Sequence, residues 1–285
     1  MSEIRRVGVI GCGLMGSGIA EVCARAGLDV KVTEVTADAL SAGRARIGKS
    51  LDRGVRSGKL SESDRAEALD RISFVPDIGE FADRQFTVEA VAESEQVKTD
   101  VFAALDKVVE DPDAIFASNT SSIPIMKLGM ATGRPEHVIG VHFFNPVPVL
   151  KLVELVPSLL TGGETQQRAD AFVTGVLGKQ VIRSQDRAGF VVNALLVPYL
   201  LSAIRMMESG FASADDIDNG MVLGFAHPMG PLRLTDLIGL DTTKAIAESM
   251  YAEFKEPLYS PPPLLLRMVD AGLLGKKSGR GFHQY

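Results

Sequence analysis

The chain has 285 residues and a formal net charge of −6, with 46% hydrophobic and 23% charged residues. At about 100–200 residues per domain, this length gives one large domain or two smaller ones, each able to bury a core. The composition excludes disordered, collagenous and coiled-coil classes. The acidic balance argues against a nucleic-acid partner, because no basic stripe is present to neutralise phosphates. The two cysteines, Cys12 and Cys23, suggest neither a disulfide framework nor a metal cluster, and a reducing cytoplasm is the expected compartment.

The chain enters a strand almost at once, over residues 4–10, so no signal peptide is expected there. Residues 7–10 read as an apolar strand of the kind buried in a parallel sheet. A helix over 14–26 ends at Gly27, and a second strand spans 30–34. Polar, Arg-rich helical segments are expected over 37–59 and 62–69. Further strands are expected at 72–75, 86–91, 115–118, 138–143 and 152–156, with a helix over 97–109. Alternating strands and helices imply a doubly wound parallel sheet.

The character changes near Gly189. Segments 190–207, 214–223, 232–254 and 263–271 are helical by period, with no convincing strand between them. The division expected is therefore 1–186 for the sheet domain and 187–285 for an all-helical domain. The longest apolar stretch, 190–207, is broken by Asn193, Pro198 and Arg205. A bilayer span needs about 20 predominantly apolar residues, so a buried helix is expected and no membrane partner. That helix is also too apolar for the exposed surface of a small domain, which predicts a homodimer through the helical domain.

Three stretches carry chemistry. Gly11, Gly13, Leu14, Met15 and Gly16 lie between the first strand and first helix, where a dinucleotide pyrophosphate meets helix N–H groups. Glu34, at the end of the second strand, is placed to accept hydrogen bonds from ribose hydroxyls and to repel a 2′-phosphate, which favours NAD over NADP. His142 falls at the carboxyl end of a strand and suits proton abstraction from an alcohol near neutral pH. Glu154, on another strand, is placed to hold the imidazole through its far nitrogen. The run 118–122 offers small hydroxyls at a strand end; Ser122 is equally readable as a helix N-cap. Asn193, on an apolar helix, is expected to face polar groups.

Together these stretches resemble the 3-hydroxyacyl-CoA dehydrogenase family, near its short-chain 3-hydroxybutyryl-CoA members. The resemblance runs through GCGLMGSGIA (11–20), Val88 to Val91 with Glu93 and Lys98, SNTSS (118–122) and HFFNPVPVLKLVE (142–154). It continues through GFVVNALLVPYL (189–200), DID (216–218), PMGP (228–231), IGLDTT (238–243) and GKKSGRGF (275–282). The family implies a Rossmann-type domain, a helical domain that dimerises, and NAD-linked oxidation of an acyl-CoA substrate.

Carried over by motif, His142 is the base, Glu154 its partner, and Ser121 and Asn193 contact substrate. Glu93, Lys98, Asn145 and Lys277 fall where the family touches the cofactor, and Ser50 and Lys59 are candidates for CoA contact. The chain departs from the family pattern at Glu34 (usually Asp), Ser94 (Asn), Ala188 (Pro), Ala194 (Arg) and His283 (Tyr). A relative acting on a sugar acid, and a nucleotide-binding protein with a dead site, are the alternatives. The first would call for a cationic carboxylate pocket that the matched motifs do not supply, and the intact His142, Glu154, Ser121 and Asn193 stand against the second.

Overall fold

A computed structural model describes residues 3–285. The chain forms two compact units, the first extending to Arg187 and the second covering Ala188–Tyr285. The first unit holds eight strands: β1 (Arg6–Ile10), β2 (Asp29–Thr33), β3 (Ile72–Phe74), β4 (Phe86–Glu89), β5 (Ile115–Ser118), β6 (Val138–Phe143), β7 (Leu152–Pro157) and β8 (Gln180–Arg183). Their order in one sheet is β3-β2-β1-β4-β5-β6-β7-β8. The chain runs outward from β1 to β3 and then returns to β4 on the other side of β1. The ends of β1 and β4 therefore flank a topological switch point, where open α/β sheets bind ligands.

The central strands are short apolar runs because both of their faces are covered. Val7, Val9, Val30, Val32, Ile115 and Ile139 are all buried. Helix α1 (Leu14–Arg25) packs Ile19, Ala20 and Cys23 into the same core. Helix α2 (Ala37–Arg56) starts at Thr36, whose side chain accepts from the Ala39 N–H. Helix α3 (Glu62–Asp70) opens with a capping box between Ser61 and Asp64. Helices α4 (Glu95–Val108), α5 (Ile125–Gly129) and α6 (Gly163–Ala171) complete the unit.

The sheet departs from the all-parallel expectation in one place. β7 runs antiparallel to β6, while β8 is parallel to β7. Only segment 144–151 joins β6 to β7, and a parallel crossover needs a dozen or more residues. The half-exposed strand β8 was not expected; its sequence, Gln180 to Arg183, has no continuous apolar run to announce it. Helix α2 stops at Arg56 rather than at Lys59, because the chain turns at Gly58.

The second unit contains α7 (Val192–Glu208), α8 (Ala214–Phe225), α9 (Pro231–Ile238), α10 (Leu240–Phe254) and α11 (Pro263–Asp270). Its core gathers Val197, Leu201, Ile204, Leu232, Leu240, Met250 and Leu265. The single helix expected over 232–254 is two helices, broken at Gly239, whose φ of 103° is open to glycine and strained for other residues. Helix α7 starts two residues later than expected, after Gly189 and Phe190 take positive φ values of 83° and 47°. Among the described residues, no helix is long and apolar enough to cross a membrane.

Both cysteines belong to the first unit's core and are free thiols. Burial pushes Cys12 up to about 11, reinforced by the nearby Glu34 carboxylate, and burial pushes Cys23 up to about 12. At pH 8 the thiolate fraction of either is on the order of 0.1% or less, and the thiolate is the reactive form. Neither should react with a disulfide reagent in the folded protein within minutes, and both should appear when guanidinium unfolds it. One thiol titrating rapidly at pH 8 would contradict this packing.

Candidate active site

The turn between β1 and α1 is built around backbone proximity. Gly11 has a φ of +92°, and a Cβ there would lie 2.5 Å from the Ala90 carbonyl oxygen. A Cβ on Gly16 would lie 1.8 Å from the Gly11 carbonyl oxygen, so helix and strand meet only because both residues lack one. Gly13, by contrast, faces open space. Helix α1 begins at Gly13 with no side-chain cap, so its first N–H groups remain available to an anion. Leu14 is exposed, while Met15 packs against the core.

Glu34 stands one residue beyond β2. Its Oε1 accepts the Cys12 N–H at 2.7 Å and its Oε2 accepts the Val35 N–H at 3.0 Å. Arg46, from α2, donates to the Cys12 carbonyl at 2.7 Å. Cys12 is thus held at both its backbone polar groups. Beside it opens a pocket of about 430 Å³ lined by Gly11, Glu34, Val35, Ile78, Val97 and Val101 among others. An uncapped helix start, an open Gly13 and a largely apolar pocket whose carboxylates are Glu34, Asp77 and Asp100 suit the phosphates, ribose and adenine of a dinucleotide.

His142 lies near the end of β6, directly opposite Glu154 in the antiparallel register with β7. Residues opposite each other share a face of the sheet, and His142 Nδ1 meets Glu154 Oε2 at 2.7 Å with both side chains buried. An ionised carboxylate only accepts, so this contact orients the ring with Nδ1 toward Glu154 and Nε2 toward Ser121. Ser121 Oγ lies 2.9 Å from Nε2. The Phe144 ring packs edge-on against the imidazole, and Asn119 Oδ1 accepts the Phe143 N–H at 2.9 Å, tying the Ser121 loop to the end of β6.

Ser121, His142 and Glu154 resemble the triad of a serine hydrolase in outline, but the surrounding donors differ. The Ser121 N–H donates to Glu93, and the N–H groups of Ser122 and Ile123 donate to Thr120 Oγ1. An oxyanion hole needs such donors aimed at the reacting centre, and these three are committed within the loop.

Glu93 gathers that loop. Its Oε1 accepts from Thr120 Oγ1 at 2.5 Å, the Ser121 N–H at 3.0 Å and Ser122 Oγ at 3.0 Å. Burial pushes this carboxyl up, but the Lys98 ammonium and the donors from Thr120 and Ser121 outweigh it and hold the group below its ordinary range. Lys98 is buried, 2.6 Å from Glu89 Oε1 and 3.2 Å from Glu93 Oε2. Ser122 is therefore not an N-cap. Helix α5 is capped instead by Asp186, which accepts from the Ile125 and Met126 N–H groups at 2.7 and 2.8 Å.

Ser50 and Asn145 line one pocket of about 180 Å³, together with Arg46 and Arg53. Lys59 is exposed in the turn beyond α2 and is not part of that lining. Two expected residues belong to the second unit. Asn193 is buried in the first turn of α7. Lys277 is half-exposed and paired with Asp241 at 2.6 Å. In that unit His283 is also buried, with Nε2 2.8 Å from Asp218 Oδ2.

Sequence reasoning kept Glu89, Asn119 and Thr120 inside its motifs without giving them individual roles, and missed Arg46 and Asp186. The signal for Glu89 is a carboxylate inside an apolar strand, nine residues before a lysine. The others are ordinary loop and helix residues whose partners are distant in sequence.

Two family models cover the chain. One, for the 3-hydroxyacyl-CoA dehydrogenase NAD binding domain, matches residues 6–187, and one for the C-terminal domain of that family matches 189–285. The chain is 62% identical to a 3-hydroxybutyryl-CoA dehydrogenase of Mycobacterium tuberculosis over 99% of both chains. It is 41% identical to the mitochondrial hydroxyacyl-coenzyme A dehydrogenase of Sus scrofa, over 99% of this chain and 91% of that one. Among solved structures it superposes on (S)-3-hydroxybutyryl-CoA dehydrogenase PaaH1 of Ralstonia eutropha with a TM-score of 0.93, at 43% identity and 99% coverage of both chains. With the glycine turn, the strand-end histidine and these matches in hand, the chain belongs to the 3-hydroxyacyl-CoA dehydrogenase family and is an oxidoreductase that uses a nicotinamide cofactor.

Proposed function

We propose that the protein interconverts L-3-hydroxyacyl-CoA and 3-ketoacyl-CoA, with 3-hydroxybutyryl-CoA and acetoacetyl-CoA as its substrate pair. The observation that carries this reading is the imidazole of His142 between Glu154 at 2.7 Å and Ser121 at 2.9 Å. The names of the relatives support the substrate class. A bound nicotinamide would supply the hydride acceptor or donor for the substrate's C3. His142 Nε2 takes the 3-hydroxyl proton during oxidation and gives it back during reduction. Glu154 fixes the ring orientation and stabilises the imidazolium that forms. Ser121 Oγ, already beside Nε2, contacts the substrate oxygen, and Asn193 is a further substrate contact. The glycine turn from Gly11 to Gly16 and Glu34 hold the cofactor, with Glu93, Lys98, Asn145 and Lys277 contributing to that side. Ser50 contacts the CoA portion, with Lys59 as a further contact.

The division of labour assigns 1–186 to cofactor binding and 187–285 to substrate binding and dimerisation, in a cytoplasmic protein. The second unit exposes Leu195 (74%), Phe211 (79%), Leu223 (82%) and Phe225 (75%), large apolar side chains that a second copy would cover. Sedimentation should give a homodimer at micromolar concentration. A stable monomer would remove the dimer.

Cofactor choice follows from charge. Glu34 places a carboxylate at the end of β2 and no arginine directly follows it, so the 2′-phosphate of NADPH is repelled and NADH is preferred. Replacing Glu34→Gln should narrow the gap between the two cofactors in kcat/KM. Equal efficiencies in the parent protein would show that this carboxylate does not face the ribose.

Kinetics with acetoacetyl-CoA and NADH test the site itself. His142→Ala should lower kcat by about 10²–10⁴-fold while NADH still binds. Glu154→Gln keeps the shape but removes the charge, and should also cause a large loss. If the pair acts as one unit, the double variant should be little worse than His142→Ala alone. Multiplicative losses would assign Glu154 another role, and a near-normal rate for His142→Ala would end the mechanism.

A further inference from the structure

We infer that Glu89 is a positioning residue for the active site, holding Ser121 against His142 through Lys98, Glu93 and Ser118; the inference rests on the function proposed above. Glu89 is the last residue of β4 and is fully buried. A carboxylate in such a place is costly unless its oxygens are satisfied. Oε1 accepts the Val91 N–H at 2.7 Å and Lys98 Nζ at 2.6 Å, and Oε2 accepts Ser118 Oγ at 2.7 Å.

Two arms lead from it to the same loop. Along the first, Ser118 Oγ accepts the Thr120 N–H at 3.1 Å. Along the second, Lys98 is shared between Glu89 and Glu93, and Glu93 takes the Thr120 hydroxyl and the Ser121 N–H. Both arms converge on Thr120 and Ser121, whose hydroxyl meets His142 Nε2. The cluster holds two carboxylates and one ammonium. Neutralising Glu89 leaves Lys98 with Glu93 as its charged partner, so Lys98 shifts toward Glu93 and competes with the donors from Thr120 and Ser121. Satisfied buried networks of this kind fix one geometry, and partly satisfied ones lose it. The Glu89 carboxylate bonds to Val91, Lys98 and Ser118, and the route from it to the Ser121 hydroxyl runs through the Ser121 loop.

A double-mutant cycle on the full chain tests this, using acetoacetyl-CoA and NADH with Glu89→Gln, Ser121→Ala and the combination. Thermal unfolding and NADH affinity by fluorescence are followed for each protein. Glu89→Gln should lower kcat about tenfold in the parent background, with KM for the thioester changed less than about threefold. In the Ser121→Ala background the same substitution should change kcat by less than about twofold. A merely structural carboxylate would lower the unfolding temperature and cut kcat by the same factor in both backgrounds, which would overturn the inference. Should Glu89→Gln fail to fold, Ser118→Ala removes a single donor to Glu89 and takes its place in the cycle, with the same coupling expected. A parent protein that turns over no acetoacetyl-CoA would overturn the functional reading and this inference with it; an active parent with uncoupled losses overturns this inference alone.

Discussion

The reversal of chain direction between β6 and β7 is the constraint on which the candidate site depends. The proposed base and its carboxylate lie twelve residues apart, and only a short return strand brings them face to face. In an antiparallel pair, directly opposed residues point to the same side and their Cβ atoms come within about 5 Å. A slip of one residue would turn His142 and Glu154 to opposite faces. The register is fixed by burial, since Val141, Phe143, Val153 and Leu155 flank the pair and are all inside. Hydrophobic packing thereby does the aiming for a polar interaction.

The same sheet concentrates charge at its carboxyl edge. Glu89 and Lys98 would each be expensive to bury alone, and they are tolerable together, beside the partly exposed Glu93, because nearly every lone pair and proton finds a partner. The hydroxyls of Ser118, Thr120 and Ser122 are used as donors to these carboxylates. What reads in the sequence as a run of small polar residues is the inner lining of an ionic cluster. The serine loop is held from beneath by these contacts and joined to the end of β6 by Asn119.

Much of this was legible before any coordinates. Short β-branched runs marked the strands, glycines marked the turn between β1 and α1, and the strand-end His142 with Glu154 marked a pair that the structure brings into contact. The antiparallel return was not legible as such, although a connection of only 144–151 excludes a helical crossover. Strand β8 escaped because an edge strand needs no apolar run. The break at Gly239 escaped because the apolar spacing continues across it, and only the backbone angle interrupts the helix. Ser122 stayed open between a cap and a hydroxyl contact because a serine before a helix suits either; the cap, Asp186, lies 61 residues away from Ile125. Long-range partnerships leave no mark on spacing.

The bracket around Cys12 bears on how this protein could change over evolution or in the hands of an engineer. The carboxylate proposed to select the cofactor also accepts the Cys12 N–H, opposite the guanidinium that grips the Cys12 carbonyl. Loop geometry and the proposed selectivity therefore share one side chain. Trading that residue for a small neutral one would release the turn as well as the charge, and a cationic one would set a like charge beside Arg46. A lineage switching cofactor would have to find a new acceptor for the Cys12 N–H at the same step or before it. Such an obligatory pairing of changes is a barrier that single substitutions cross slowly.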